Sequence, residues 1–184
     1  TAILTYKQNI GGVNVIEEDI RNVNLSKFPL EPVDVLHAGF PCQSFSQAGE
    51  RKGFDDPRGK LFFEIIRLIE EFKDKRPAVL VLENSPYLRF GDGGSWFLQL
   101  SKAIKKAGYW FRDSNCAELD TYELTDLPQK RNRLFMVAFS IEKFRNGKFK
   151  FPEKHNIQSY KKDLSNYIEF SGAVNDQTDR KSVV

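Results

Sequence analysis

The sequence contains few of the residues that bind metals or form cross-links. It has two cysteines, Cys42 and Cys116, and two histidines, His37 and His155, in 184 residues. None of them are close in sequence, whereas zinc sites usually pair their ligands at short spacing. We therefore expect no metal site. Two cysteines are also too few for a disulfide framework, which favours a reducing, cytoplasmic setting.

Long apolar runs and a leader segment are also lacking. No run approaches the length of a membrane-spanning helix, and no signal peptide opens the chain, so we expect no membrane association. The first residue is Thr1 rather than Met, which predicts a fragment or a trimmed chain. With 40% hydrophobic residues and 16 phenylalanines, the chain has enough apolar material for one domain with a real core.

A strong excess of charge is absent as well. The chain has 28 Lys and Arg against 25 Asp and Glu; residues 141–184 hold nine of the basic and six of the acidic residues. The first 140 residues therefore hold 19 of each sign and are neutral. A nucleic-acid partner would have to be bound by local basic clusters rather than by a general positive field.

Predicted strands and helices alternate along the first 140 residues. Apolar runs predict four strands, the first two of them buried: Val33–Ala38, Ala78–Leu82, Tyr109–Leu119 and Leu134–Phe139. Apolar residues at helical spacing predict helices over Lys60–Phe72 and Trp96–Ala107, the second closed by Gly108. This alternation predicts an α/β fold with a mostly parallel sheet, whose ligands bind at the carboxyl ends of its strands.

Two chemically reactive side chains come just after predicted strand ends. Cys42 follows a Gly-Phe-Pro turn, where an exposed thiol can act as a nucleophile, although a lone cysteine is as often a small buried hydrophobe. Glu83 follows five apolar residues, a position that suits a proton donor but also a helix cap or an ion-pair partner. Cys116 lies inside a predicted strand and is interpreted as structural.

Basic residues occur in the loop after Cys42 and just before the last predicted strand. Gln129, Arg131 and Arg133 alternate in an extended stretch and so would share one face, where two guanidiniums could bind an anion or a carbonyl. Arg58 lies in a long polar loop from Gln43 to Gly59 and could contact phosphates. Ordinary surface charge explains the loop equally well, and taken alone the stretch from Gln129 to Arg133 is better interpreted as a solvated basic strand end.

Several segments, in order and at matching spacing, resemble the motifs of the DNA cytosine-5 methyltransferases. They are Asp19-Ile20, Gly39 to Ser46 (GFPCQSFS), Asp56-Pro57-Arg58-Gly59 with Leu61-Phe62, Glu83-Asn84, and Gln129-x-Arg131-x-Arg133. One such match would be weak evidence, but matches in register along the chain are strong. Ser85 stands where the family usually has Val, and the family's early glycine-rich cofactor loop is absent from the sequence.

The resemblance implies a Rossmann-like S-adenosylmethionine-dependent methyltransferase fold, incomplete in this chain. It predicts a partial catalytic domain over residues 1–150 and a linker over 151–184 that leads to a target-recognition domain. It also implies a cofactor site for S-adenosylmethionine formed by a small set of residues: Asp19, Ile20, Phe40, Pro41 and Leu61. We expect a monomer, located in a bacterial cytoplasm, that is inactive as this fragment alone.

The activity implied is that of a DNA (cytosine-5-)-methyltransferase acting on duplex DNA by base flipping. Cys42 would attack C6 and Glu83 would bind N3, while Arg133 would bind the O2 carbonyl and Arg131 would steady the site. The residues implied to contact the DNA are Gln43, Ser46, Arg58 and Gln129. Compact motif spacing favours the modification enzyme of a restriction–modification system. The alternatives are a transfer-RNA cytosine-5 methyltransferase and a non-catalytic, methyltransferase-like nucleic-acid-binding protein.

Overall fold

The computed structural model describes residues 2–10, 15–28, 31–45, 52–125 and 127–151. Its strands are β1 (Val35–Gly39), β2 (Val79–Asn84), β3 (Tyr109–Trp110), β4 (Cys116–Asp120) and β5 (Asn132–Ser140). Its helices are α1 (Ala2–Asn9), α2 (Leu61–Glu71), α3 (Tyr87–Phe90), α4 (Ser95–Lys106) and α5 (Thr121–Leu124). The linker predicted over residues 151–184 lies, apart from Phe151, outside the described residues, so that domain boundary remains a prediction.

The strands form one mixed sheet in the order β1-β2-β5-β3, with β4 also paired to β5. β1 and β2 run parallel, whereas β5 runs antiparallel to both β2 and β3. The α/β fold is therefore confirmed, but the expectation of a mostly parallel sheet is wrong for the described residues. Apolar periodicity does not encode the direction in which a strand pairs, so the antiparallel pairing of β5 could not be predicted from it.

One face of the sheet packs against α2 and α4. Alternate residues of the two central strands point to this face and are almost fully buried: Leu80 and Leu82 of β2, and Leu134, Met136 and Ala138 of β5. The helices contribute Phe62, Ile65 and Ile69 from α2 and Leu100 and Ile104 from α4. This alternation follows from the two-residue period of a strand.

The opposite face is less covered, which corrects two predictions. In β2 the alternate residues Val79, Val81 and Glu83 are only half buried, so this strand is not buried on both faces. β1 is not a buried strand either, because its Val35 remains 54% exposed and the strand begins two residues later than predicted. Apolar content alone could not distinguish this one-sided burial from a sheet covered on both sides.

The helix boundaries agree with prediction to within one residue at each end, and Gly108 ends α4 with a φ of +90°. The predicted strand Tyr109–Leu119 is interrupted. A 3-10 turn at Asp113–Asn115 separates β3 from β4, and the buried Asn115 side chain donates to the Gly147 carbonyl oxygen at 2.7 Å. The polar run Arg112–Asn115 therefore forms a turn rather than a continuous strand.

The chain divides into two compact units, residues 1–119 with 132–152 and residues 120–131 with 153–184. In the second unit, the Asp120 side chain accepts hydrogen bonds from the backbone N–H groups of Tyr122 and Arg131, at 2.9 and 3.0 Å. The Thr121 N–H donates to the Arg131 carbonyl oxygen at 3.1 Å. These bonds close a compact loop around α5 and fix the backbone of Arg131.

Candidate active site

Cys42 lies three residues after β1, in a segment that is anchored on both sides. Phe40 before it is buried, and Ser44 and Phe45 after it are fully buried, while Cys42 itself is half buried. The Phe45 N–H donates to the Cys42 carbonyl oxygen at 2.9 Å, which forms a tight turn. The buried neighbours hold the backbone in place and leave the thiol at the surface of the fold.

Glu83 occupies the end of β2, where its register partner on β1 is Gly39. A Cβ atom on Gly39 would lie 3.2 Å from a carboxylate oxygen of Glu83, closer than ordinary van der Waals contact. The missing side chain of Gly39 therefore makes room for the Glu83 carboxylate beside the strand that leads to Cys42. The Gly at this position has a packing reason that the sequence alone did not reveal.

Arg133 pairs with Glu83 across the antiparallel β2–β5 ladder. Phe135 is the direct partner of Glu83, so Arg133 is its diagonal neighbour on the same face. The Arg133 Nε lies 2.8 Å from Glu83 Oε1, and both side chains keep about a quarter of their surface exposed, at 27% and 22%. The structure thus brings together two of the residues that the sequence predicted for one site.

The Asn84 side chain connects the two strand ends, a role that the sequence alone did not reveal. Its side chain is 1% exposed, and its Nδ2 donates to the Phe40 carbonyl oxygen at 3.0 Å. Its Oδ1 accepts from the Ser85 N–H at 2.8 Å, so both ends of the amide are satisfied. Asn84 therefore fixes the backbone two residues before Cys42 to the residue that follows Glu83.

Arg58 is bound by a neighbouring carboxylate within its loop. Its Nε and Nη2 donate to the two oxygens of Asp56 at 3.0 and 2.7 Å, and its backbone N–H adds a third bond at 2.8 Å. These bonds hold the pKa of the Asp56 carboxyl well below its usual range. Asp56 thus orients Arg58, whose side chain stays 47% exposed.

The roles of the remaining residues predicted to contact the base or the DNA stay predictions, and the structure shows where some of them lie. Gln43 is exposed beside Cys42, and Ser46 lies outside the described residues. Gln129 and Arg131 are exposed in the second unit, and their roles remain predictions. Arg133 contacts Glu83 at 2.8 Å, and its predicted role toward the base also remains a prediction.

The residues predicted to bind a cofactor gather around α2. Arg67 of α2 donates through Nη2 to the carbonyl oxygens of Ile20 and Val23, at 2.9 and 2.7 Å, and so holds the turn that contains Asp19 and Ile20. Asp19 caps this turn, and hydrogen bonds from Arg21 lower its pKa to about 2. Leu61 is the first residue of the same helix.

These residues fit part of an S-adenosylmethionine site. Ile20, Pro41 and Leu61 are half exposed and offer apolar surface to an adenine ring or to the sulfonium chain. Phe40 differs, because its ring is 5% exposed and packs 5.4 Å from the Phe62 ring. Asp19 could accept a hydrogen bond from a ligand hydroxyl or amino group only by sharing oxygens that Arg21 now occupies.

Cys116 contrasts with Cys42. It begins β4, and burial raises the pKa of its thiol to about 12. A thiol that stays protonated near neutral pH is a poor nucleophile, which agrees with its interpretation as structural.

Within the described residues, no group of three or more His, Cys, Asp or Glu side chains could hold a metal ion. None of the helices described is long and apolar enough to span a membrane.

The α/β fold of this chain is similar to that of methyltransferases of known structure. The structure matches the Entamoeba histolytica methyltransferase EhMeth with a TM-score of 0.61 at 18% identity, over 93% of this chain and 49% of that one. It also matches a mutant of Spodoptera frugiperda DNMT2 with a TM-score of 0.57 at 18% identity, over 83% and 45% of the two chains.

The family follows from the sequence comparison. Residues 1–182 match the C-5 cytosine-specific DNA methylase model, and the chain belongs to this family. It is 39% identical over 154 residues to the Type II methyltransferase M.Bsp6I of Bacillus sp. (strain RFL6), covering 83% of this chain and 46% of the relative. It is 35% identical over 159 residues to M.HhaI of Haemophilus parahaemolyticus, covering 86% and 45%. The chain thus spans about half the length of these relatives.

Proposed function

We propose that the protein to which this chain belongs transfers a methyl group to C5 of cytosine in duplex DNA, as the modification enzyme of a restriction–modification system. The observation that carries the proposal is the hydrogen bond from Asn84 to the Phe40 carbonyl oxygen, because it ties the Cys42 segment to the strand end that bears Glu83. The named Type II relatives support DNA as the substrate. That the enzyme is cytoplasmic and monomeric remains a prediction.

The reaction needs a nucleophile at C6 and a proton donor at N3, because neutral cytosine resists attack. With the base flipped out of the helix, the Cys42 thiolate forms a bond to C6, and the C5=C6 electron pair moves to C5 as Glu83 gives a proton to N3. Arg133, which already holds Glu83 at 2.8 Å, would bind the O2 carbonyl and stabilise the charge that spreads into the ring.

S-adenosylmethionine, once bound, supplies the methyl group that C5 receives. Ile20, Pro41, Leu61 and Asp19 are the residues of this chain that would hold it. A base then removes the proton from C5, and the electron pair re-forms the C5=C6 bond. The C6–S bond breaks, Cys42 leaves as a thiolate, and the N3 proton returns to Glu83. After the last step, Cys42 and Glu83 are back in their starting states.

The test uses the full-length protein, methyl-labelled S-adenosylmethionine and unmethylated duplex DNA. Wild type and Cys116→Ala should label cytosine at C5, and Cys42→Ser should label none, since its hydroxyl is a far weaker nucleophile. The wild type should also form a covalent complex with DNA containing 5-fluorocytosine, because fluorine at C5 cannot leave as a proton does. Transfer to transfer RNA but not to DNA would overturn the proposed substrate, and transfer by Cys42→Ser would overturn the nucleophile.

A second test compares the cofactor affinity of this chain with that of the full-length protein. We propose that the chain alone is inactive, because its residues account for only part of a cofactor site. Isothermal titration of the 184-residue chain with S-adenosylmethionine should show binding much weaker than that of the full-length protein. Equal affinity in the two proteins would show that the complete cofactor site lies within these residues.

A further inference from the structure

The segment after Cys42 closes into a neck formed by Ser44, Phe45, Gly53 and Phe54. The Gly53 N–H donates to the Ser44 carbonyl oxygen at 2.9 Å, and the rings of Phe45 and Phe54 pack edge to face with centroids 5.0 Å apart. The Phe45 N–H bonds to the Cys42 carbonyl oxygen at 2.9 Å, so the neck is attached directly to the nucleophile. Any displacement of the neck therefore displaces the backbone of Cys42.

Trp96, in the first turn of α4, packs against this neck. Its side chain is 5% exposed, and its ring packs edge to face on Phe45 with centroids 5.5 Å apart. Gly53 lies directly on the indole, since a Cβ atom there would be 2.1 Å from the Trp96 Nε1. Gly53 also has a φ of +54°, which other residues rarely adopt.

The far edge of the same indole meets the segment that continues from Glu83. A Cβ atom on Gly91 would lie 2.3 Å from the Trp96 Cζ3, and the Tyr87 ring packs against the indole at 6.2 Å. Tyr87 and Gly91 follow β2, only a few residues after Glu83 and Asn84. One side chain thus contacts both the segment that bears Cys42 and the segment that bears Glu83.

The indole of Trp96 has a glycine directly against each of two edges, which distinguishes it from an ordinary core residue. Leu100 and Ile104, further along α4, are also fully buried but belong to the shared core beneath the sheet. A smaller ring at position 96 would leave a gap against Gly53, Gly91 or both, and the residues around a buried gap relax partly into it. The neck lines this gap, so its relaxation would shift Cys42.

We propose that Trp96 is a positioning residue for catalysis: its indole, held between Gly53 and Gly91, sets the place of Cys42 relative to Glu83. The proposal rests on the proposed methyltransferase function and deepens it. Trp96 does not contact the reacting atoms in this scheme. Its contribution is the distance and angle at which the Cys42 thiolate meets C6, and rates depend steeply on such placement.

The experiment compares Trp96→Phe with a matched core variant, Leu100→Ala, in the full-length enzyme. Single-turnover methyl transfer, the rate of covalent complex formation with 5-fluorocytosine DNA, KM for DNA and S-adenosylmethionine affinity are measured below the melting temperature of both variants. We expect Trp96→Phe to slow the first two rates about tenfold while KM and cofactor affinity stay within about twofold. Leu100→Ala should lower the melting temperature and keep the wild-type rates.

A size exchange provides the second arm. Gly91 has an ordinary φ of −62°, so Gly91→Ala strains no backbone and acts by pushing its methyl group against the indole and, less closely, against the Tyr87 ring at 3.1 Å. Gly91→Ala should slow methyl transfer. Combining it with Trp96→Phe should recover part of the rate, because the smaller ring leaves room for the added methyl group. This arm also decides the case if Trp96→Phe alone does not fold.

The outcomes separate the two proposals. An active wild type whose rates are unchanged in both Trp96→Phe and Gly91→Ala contradicts the positioning role alone. A rate loss in Trp96→Phe that Leu100→Ala reproduces at equal loss of melting temperature also contradicts it, since that pattern marks general destabilisation. A wild type without transfer to DNA contradicts the proposed function, and the positioning role is then rejected with it.

Discussion

Gly39 and Glu83 face each other across the parallel β1–β2 ladder, and the glycine has no side chain at the point where the carboxylate lies. Adding a methyl group in Gly39→Ala would place it 3.2 Å from a Glu83 oxygen, so the carboxylate must move by a few tenths of an ångström. We expect methyl transfer to fall about tenfold or more, because catalysis is sensitive to such shifts. The measurement is single-turnover transfer by the full-length enzyme, with the melting temperature recorded in parallel.

Val35→Ala, at an exposed position of the same strand, is the control for that experiment and should keep the wild-type rate. A Gly39→Ala enzyme that is fully active would mean that Glu83 can be displaced without consequence.

The Glu83–Arg133 pair should matter far more to the reaction than to folding. Glu83→Gln keeps the shape but cannot donate the N3 proton or pair with Arg133, and we expect a loss of about 10²- to 10⁴-fold in transfer rate. Both side chains are partly exposed, so the free energy of unfolding should change by about 1 kcal/mol or less. Urea unfolding and single-turnover kinetics on one preparation test both statements. A large loss of stability with little loss of transfer rate would contradict both expectations.

The two cysteines should differ in the way that burial dictates. Because burial raises the pKa of Cys116 to about 12, its thiolate is scarce near pH 8. Alkylation of Cys116 by iodoacetamide at that pH should be at least about a hundredfold slower in the folded protein than in urea. Peptide mass spectrometry of a Cys42→Ser protein follows this single thiol. Equal rates in the folded and unfolded protein would contradict the burial of Cys116.

The Asp56–Arg58 pair should contribute a stability that depends on pH. The pKa of Asp56 is lowered in the folded protein from an ordinary 3.8, so its contribution is present above that value and is lost as the pH falls through the lower folded pKa. Asp56→Asn should therefore be less stable than wild type at pH 7, and the difference should shrink below about pH 4. Urea unfolding at pH 7, 5 and 3 measures it. A difference that stays constant with pH would assign the effect to packing instead.

The sequence predicted the helices because they depend on local pattern, and apolar spacing located α2 and α4 to within a residue. Motif order predicted Cys42, Glu83 and Arg133 for one site, and the structure brings Glu83 and Arg133 into contact. The direction of β5 and the one-sided burial of β1 and β2 were not predicted, since strand pairing joins residues far apart in sequence. The contacts of Asn84 with Phe40 and of Trp96 with Gly53 and Gly91 were missed for the same reason.

The spacing of Cys42 and Glu83 has a consequence for how this architecture tolerates change. The two residues follow neighbouring strands whose registration is fixed by the β1–β2 ladder, and the connection between them passes through α2 and the exposed turn Lys73–Lys75. Their separation is thus a property of the sheet and not of the chain that joins them. Insertions in that turn, or a break in the backbone there with both pieces kept together, should leave Cys42 and Glu83 in place. The length of this connector can therefore vary between related sequences without changing the positions of the two residues.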